Sequence, residues 1–370
     1  MRVMLLSHRI LSFCIFLSFP AKKNKKMYYS SKISLALVCF FFLGFGTTAA
    51  TAAACSKEPV LFNFGDSNSD TGGASVLGGK PLEFPEGRTF FHEPTGRVSD
   101  GRLILDFLCE SLETKFLTPY LELFTPDFSN GVNFALAGAD SRLGISIPPN
   151  AFTLGNQFAE FSRFQNVSIR RGSLDAGQVK SALFMLDIGQ NDLQFDSNTL
   201  TPQQVLERVP IVASNIRDTM QKLYQLGGRN FWVHNTGPLG CLPNNVARIN
   251  ASTVVDEYGC VSDRNKAAAA LNSQLEHLCR ELQSEMSDST IVYVDIYSIK
   301  LDLIVNATSY GFENPFVECK PKGQSVCPEG SRYVSWDGFH YTDAANMLVA
   351  SKILSTNFST PSLPFHFFCN

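Results

Sequence analysis

The chain has 370 residues, with 31 Lys and Arg against 34 Asp and Glu, 44% hydrophobic residues, 12% aromatic residues and ten cysteines. Residues 1–54 hold seven of the basic residues and no acid, which leaves residues 55–370 with 24 basic against 34 acidic. That acidic stretch has no long charge run, Pro/Ser-rich tract or internal repeat, which argues against nucleic acid or an anionic membrane surface as the main partner and leaves room for one large core.

Taken in chain order, the first 54 residues read as a leader. "ISLALVCFFFLGFG" from Ile33 follows Lys32 and runs into "TTAATAAAC", giving the basic flank, apolar core and small-residue cleavage region of a secretory signal. It is too short to favour a membrane span. Met27 opens a complete signal by itself, so the 26 residues before it are either an upstream start or an alternative leader. The expectation is a single mature domain over 55–370, beginning near Ala54 or Cys55. It is exported to the extracellular space or cell wall, with the vacuole as the alternative, and has no integral membrane association after cleavage. Sequons at Asn166, Asn250, Asn306 and Asn357 are expected to carry N-glycans.

From Val60 onward, apolar β-rich segments alternate with stretches of helical period, the pattern of βαβ units. Strands are predicted at 60–64, 132–137, 182–189, 230–237 and 290–299. Their near-continuous apolar runs suit parallel strands covered on both faces. Helices are predicted from Arg102, from Pro202 with a break or kink at Pro210, from Asp263 and from Thr342. The last has an N-cap residue and an apolar face of Ala345, Leu348, Val349 and Ile353. The fold class is therefore α/β, a three-layer α/β/α sandwich with a central, mostly parallel sheet.

Such sheets carry their chemistry in the loops beyond the carboxyl ends of the strands. The first strand ends in "FNFGDSNSD", where Gly65 and Asp66 turn the chain and place Ser67 at the start of an incoming helix. Ser67 is then either a nucleophile or only a helix N-cap. A nucleophilic serine needs a base, and residues 55–370 hold His92, His234, His277, His340 and His366. His277 lies among leucines of a long helix, and His366 lies in an apolar tail. His92 lies in a loop with no orienting acid, and His234 ends a strand as a structural residue or a border of the site. In "SWDGFHYT" a glycine-containing turn brings Asp337 to Nδ1 of His340, which leaves Nε2 free to accept a proton. "LDIGQND" delivers Asn191, an uncharged donor for a developing oxyanion or else an Asx-turn or helix cap. "GVNFALAGAD" ends in small residues that allow a ligand close to the Gly138 N–H. Together, four such signals at the ends of successive elements, in a consistent order, point to one functional site.

These segments, with "GRLILDFL" and "VHNTGPLGC", resemble the plant GDSL esterase/lipases of the SGNH hydrolase superfamily, in the family's order and over nearly all of 55–370. The resemblance implies a flavodoxin-like fold and a carboxylic ester hydrolase. It implies Ser67 as nucleophile, His340 with Asp337 as the relay, and an oxyanion hole from the Ser67 N–H, the Gly138 N–H and the Asn191 side chain. Asn68 stands where the name-giving motif has leucine, and Ala137 where many members have glycine; both bear on substrate preference. The substrate is expected to be a small-molecule, lipid or glycan ester. Alternatives are acyl transfer or glycan modification on the same fold, a glycosidase using two of Asp66, Asp70, Asp192 and Asp337, a two-metal phosphoesterase, and an inactive binding protein. The histidines are too few for a two-metal site, and there is no CxxC and no zinc spacing, so no metal or cofactor is expected. Cysteines that flank loop-like polar stretches predict disulfides Cys241–Cys260 and Cys319–Cys327, with Cys279 buried on the long helix. Aromatics such as Phe152, Phe161, Phe195, Phe312 and Trp336 are read mostly as core.

Overall fold

The first strand, β1 (Leu61–Gly65), is buried at every position, as a segment with apolar residues facing both ways must be in a parallel sheet. It lies inside a sheet that also contains β2 (Gly131–Asn133), β3 (Leu183–Asp187), β4 (Asn230–His234), β5 (Thr290–Val294) and β6 (Ser359–Thr360), in the order β2-β1-β3-β4-β5-β6. All neighbours run parallel except the short β6, which pairs antiparallel with β5. The structure, a computed structural model, describes residues 55–79, 81–145 and 152–370. The predicted leader, its cleavage site and the choice of start all lie outside the described residues.

Helices α1 (Gly73–Gly78) and α2 (Ile104–Ser111) follow β1, and α3 (Leu154–Arg171) with α4 (Ala176–Ser181) lead from β2 to β3. Next, α5 (Gln190–Thr199) and α6 (Pro202–Gln225) connect β3 to β4, and α7 (Pro243–Val246) and α8 (Ser262–Glu285) connect β4 to β5. Helices α9 (Ile296–Val305) and α10 (Asp343–Leu354) come after β5. Alternate strand residues serve two cores. Phe62, Phe64, Phe184, Leu186, Phe231 and Val233 pack with α3, α5, α6 and α8. Leu61, Leu183, Met185, Trp232, Val292 and Val294 pack with α2, α9 and α10. Each of these buried side chains contributes roughly 1.5–3 kcal/mol of transfer free energy, so the sheet is held from both faces as three layers.

Several boundaries differ from expectation. The predicted strand 290–299 stops at Val294, because the Asp295 carboxylate accepts the Ser298 N–H and caps α9. Of 132–137 only the first residues pair as strand, with β2 ending at Asn133. No helix begins at Ser67; the next one is α1, six residues later, and the Asp70 carboxylate accepts its first N–H groups. Helix α6 runs unbroken through Pro210. Thr342 caps α10, whose Ala345, Val349 and Ile353 are buried.

The disulfides Cys241–Cys260 and Cys319–Cys327 are present, together with an unforeseen third, Cys55–Cys369, which joins the two ends of the described chain. Cys279 is buried on α8 as expected, and Cys109 on α2 is a second buried thiol. Burial raises both thiols, Cys279 to about 12, so neither is a thiolate at neutral pH. Phe152, Phe161, Phe312 and Trp336 are core residues, whereas Phe195 is half exposed. Among the described residues no helix is long and apolar enough to cross a membrane.

Candidate active site

Gly65 closes β1 where the chain passes so near β3 that a Cβ would sit 2.6 Å from the Asp187 carbonyl oxygen. Gln157 of α3 clamps this residue, accepting the Gly65 N–H at 2.9 Å and donating to its carbonyl at 2.7 Å. The chain then makes one tight turn in which the Asp66 carbonyl accepts the N–H groups of Ser69 and Asp70. Beneath it, the Asn63 amide donates to Ser69 Oγ and Asn133 Oδ1, while the Asn133 amide donates to the Ser69 carbonyl and Thr71 Oγ1. Asp70 accepts from Gly72, Gly73 and Ala74 and, across the loop, from Ala137. A buried, fully partnered network of this kind fixes one arrangement, so the Ser67 turn and the Gly138 loop are held in register.

The second turn precedes α10. Gly338 takes φ +92°, a left-handed value that glycine adopts without cost. The Asp337 Oδ1 accepts the N–H groups of Phe339 and His340. Asp337 Oδ2 lies 2.7 Å from His340 Nδ1, and His340 Nε2 lies 2.8 Å from Ser67 Oγ. Burial disfavours the charged carboxylate, but the charge and N–H groups of His340 overcome this and bring Asp337 down to about 2. Burial likewise disfavours a charged His340, yet the charge and hydrogen bond of Asp337, with Asp66 behind, hold the imidazole above its ordinary value against the opposing charge of Lys300. Asp66 is itself pushed up to about 7 by burial and then by the charge of Asp187, with the Asn68 hydrogen bonds working the other way.

Asn191 is the second residue of α5, whose N-cap is Gly189, so the capping role is not its own. Its amide donates to the Ala139 carbonyl at 2.8 Å, which leaves its second amide hydrogen for another acceptor. Neither the Ser67 nor the Gly138 backbone N–H donates to another group among the described residues. Ser67, Gly138, Asn191 and His340 line one cavity of about 290 Å³, with Val98, Phe195, Leu239, Leu242 and Phe339 as its apolar wall.

The other candidate histidines lie apart from this cavity. His234 is buried, accepts from Trp232 Nε1 at 3.1 Å and stands 3.6 Å from Asp187. His92 Nδ1 donates to the Arg88 carbonyl, and His277 on α8 stands 3.5 Å from Glu281. Of the carboxylates weighed for a glycosidase, Asp70 is taken up by backbone N–H groups, Asp192 by the N–H and hydroxyl of Ser141, and Asp337 by His340. Asp66 is then the single acid lining the cavity, and a glycosidase needs two. Sequence reasoning missed Gln157, which belongs to no local motif, and the paired roles of Asn63 and Asn133. The second aspartate of "GDSNSD" could have flagged the bracing role of Asp70.

A hydroxyl, an imidazole and a carboxylate hydrogen-bonded in that order, at the carboxyl edge of a parallel sheet, form the layout common to serine hydrolases on unrelated folds. The family described as GDSL-like Lipase/Acylhydrolase matches residues 61–353. The chain belongs to the GDSL esterase/lipase family and is a carboxylic ester hydrolase. It is 42% identical to GDSL esterase/lipase LIP-4 of Arabidopsis thaliana, over 92% of this chain and 96% of that one. It is 38% identical to GDSL esterase/lipase ENOD8 of Medicago truncatula, over 82% of this chain and 88% of that one.

Proposed function

We propose that residues 55–370 form a single exported serine esterase that cleaves carboxylic esters through an acyl-enzyme on Ser67. His340 Nε2 takes the Ser67 proton as Oγ attacks the ester carbonyl carbon, and Asp337 holds the imidazole in the tautomer that permits this and stabilises the imidazolium. The negative charge that develops on the carbonyl oxygen is met by the Ser67 N–H, the Gly138 N–H and the Asn191 amide. His340 returns the proton to the departing alcohol, and a water molecule repeats the sequence to release the acid. The observation that carries this reading is the continuous series Asp337 Oδ2, His340 Nδ1, His340 Nε2, Ser67 Oγ, with contacts of 2.7 and 2.8 Å. Export is supported by three disulfides and by four sequon asparagines that are all exposed.

The test is incubation with a serine-directed fluorophosphonate followed by peptide mapping. The label is expected on Ser67, and Ser67→Ala is expected to fold normally and lose turnover of p-nitrophenyl butyrate. A Ser67→Ala protein that keeps most of the wild-type turnover refutes the mechanism.

A further inference from the structure

The rim of the catalytic cavity carries a charge that the mechanism does not use. Arg248, exposed at the mouth after α7, lines the cavity, and its guanidinium has no hydrogen bond or ion pair to any described residue. Arg264 of α8 donates through Nη2 to Asn198 Oδ1 at 2.9 Å, while its Nη1 is buried with no partner. Burial and then the charge of Arg248 lower the Arg264 guanidinium. The pair therefore stands without a carboxylate between its members, whereas Arg97, Arg102, Arg142, Arg208, Arg217 and Arg229 are each paired with an acid.

Asn198, a lining residue of the cavity, accepts from Arg264 through its amide oxygen, while its NH₂ group makes no hydrogen bond to a described residue and is available to donate. One side of the mouth thus presents a guanidinium and an amide donor, backed by a second guanidinium. Asp66, the single acid of the lining, is 1% exposed. The charge of Arg248 opposes that of Arg264, and an anion held at Arg248 relieves this repulsion. The cavity's volume of about 290 Å³ is at the lower end for ligand sites, so part of a larger ester must pass over this rim.

We infer that the preferred substrate is an ester carrying an anionic group, a carboxylate on its acyl or alcohol part, received by Arg248 and the Asn198 amide with Arg264 behind. The inference rests on the reading of Ser67 given above. The experiment compares kcat/KM for neutral p-nitrophenyl butyrate, for mono-p-nitrophenyl glutarate with the carboxylate on the acyl side, and for 3-butyryloxy-4-nitrobenzoate with it on the alcohol side. The readout is the ratio of each anionic ester to the neutral one, which cancels any general change in the site. At least one ratio is expected to fall about three- to tenfold in Arg248→Gln, and further in Arg248→Glu. A smaller fall is expected in Arg264→Gln, and in wild type the same ratio falls as NaCl is raised. The ester whose ratio responds identifies the side that bears the charge. Ratios that stay constant in both Arg248 variants overturn the inference, as does a wild type that turns over only the neutral ester. Since Arg248 is exposed, its variants are expected to fold, which a thermal melt checks. If Ser67→Ala still hydrolyses all three esters, the reading of the site has failed; if it is inactive and the ratios do not move, only the anion inference has failed.

Discussion

Replacing Asn191 separates an oxyanion donor from a residue that merely supports a helix. In Asn191→Ala the Nδ2 donor is lost to the Ala139 carbonyl, 2.8 Å away, and, under the proposed mechanism, to the reacting oxygen. Loss of one oxyanion-hole donor costs about 10²–10³ in kcat, whereas loss of one half-exposed hydrogen bond costs about 1 kcal/mol of stability, or about 2 °C in Tm. Turnover is therefore expected to collapse while the fold barely notices. Asn191→Asp makes the distinction sharper. A carboxylate in the first turn of α5 is favoured by the helix dipole by roughly 0.3–1 kcal/mol, but it faces the Ala139 carbonyl as acceptor to acceptor and repels the developing negative charge. The expected result is kcat at or below that of Asn191→Ala, KM little changed and Tm within a few degrees of wild type. Steady-state kinetics on p-nitrophenyl butyrate and a thermal melt measure both quantities. A fully active Asn191→Asp enzyme removes Asn191 from the site and leaves the Ser67 and Gly138 N–H groups as the remaining donors.

The acid limb of kcat/KM is expected above the ordinary imidazole value of about 6.5, because His340 must be neutral to accept the Ser67 proton and its folded pKa is raised; activity then appears only as the pH climbs through that raised value. Asp66→Asn removes a negative charge that raises His340, so a pH–rate profile should show the limb displaced to lower pH, and an unmoved limb would contradict the assignment of charges. Asp337→Asn is expected to lower kcat about 10³–10⁴-fold, through the wrong tautomer, at nearly unchanged KM. Converting Cys55 and Cys369 to serine together opens a bridge spanning 314 residues of sequence and should cost about 2–5 kcal/mol, read as a lower denaturant midpoint; an unchanged midpoint would show that the bridge does not form. Protein from a secretory host should lose mass on treatment with a peptide N-glycosidase, with glycans mapping to some of Asn166, Asn250, Asn306 and Asn357.

What could be read from the sequence was whatever the chain settles within one strand or one turn. Residues such as Phe62, Phe64, Phe184 and Leu186 alternate with Leu61, Leu183 and Met185 between two cores, and a strand that is apolar on both faces can only lie inside a covered sheet. The Asp337 to His340 contact closes within three residues, so spacing alone suggests it. The segment "TIVYVDIYSI" misled because its apolar, β-branched run continues past Asp295, although an aspartate is depleted in strands and favoured as a helix cap. What decides it is outside the segment, where the Asn235 amide donates to Asp295 Oδ1 and the Asn235 Oδ1 accepts the Tyr297 N–H. Helix α3 was invisible for a related reason. Two of its buried positions are Gln157 and Gln165, which interrupt the apolar stripe that marks an amphipathic helix. Both are buried because they bond to backbone far away in sequence, Gln157 to Gly65 and Gln165 to the Leu226 carbonyl. A polar residue can occupy a core position only when such a partner exists. That partner is a property of the folded arrangement, so the same glutamine that hides the helix from a periodicity search holds the Ser67 turn against the sheet.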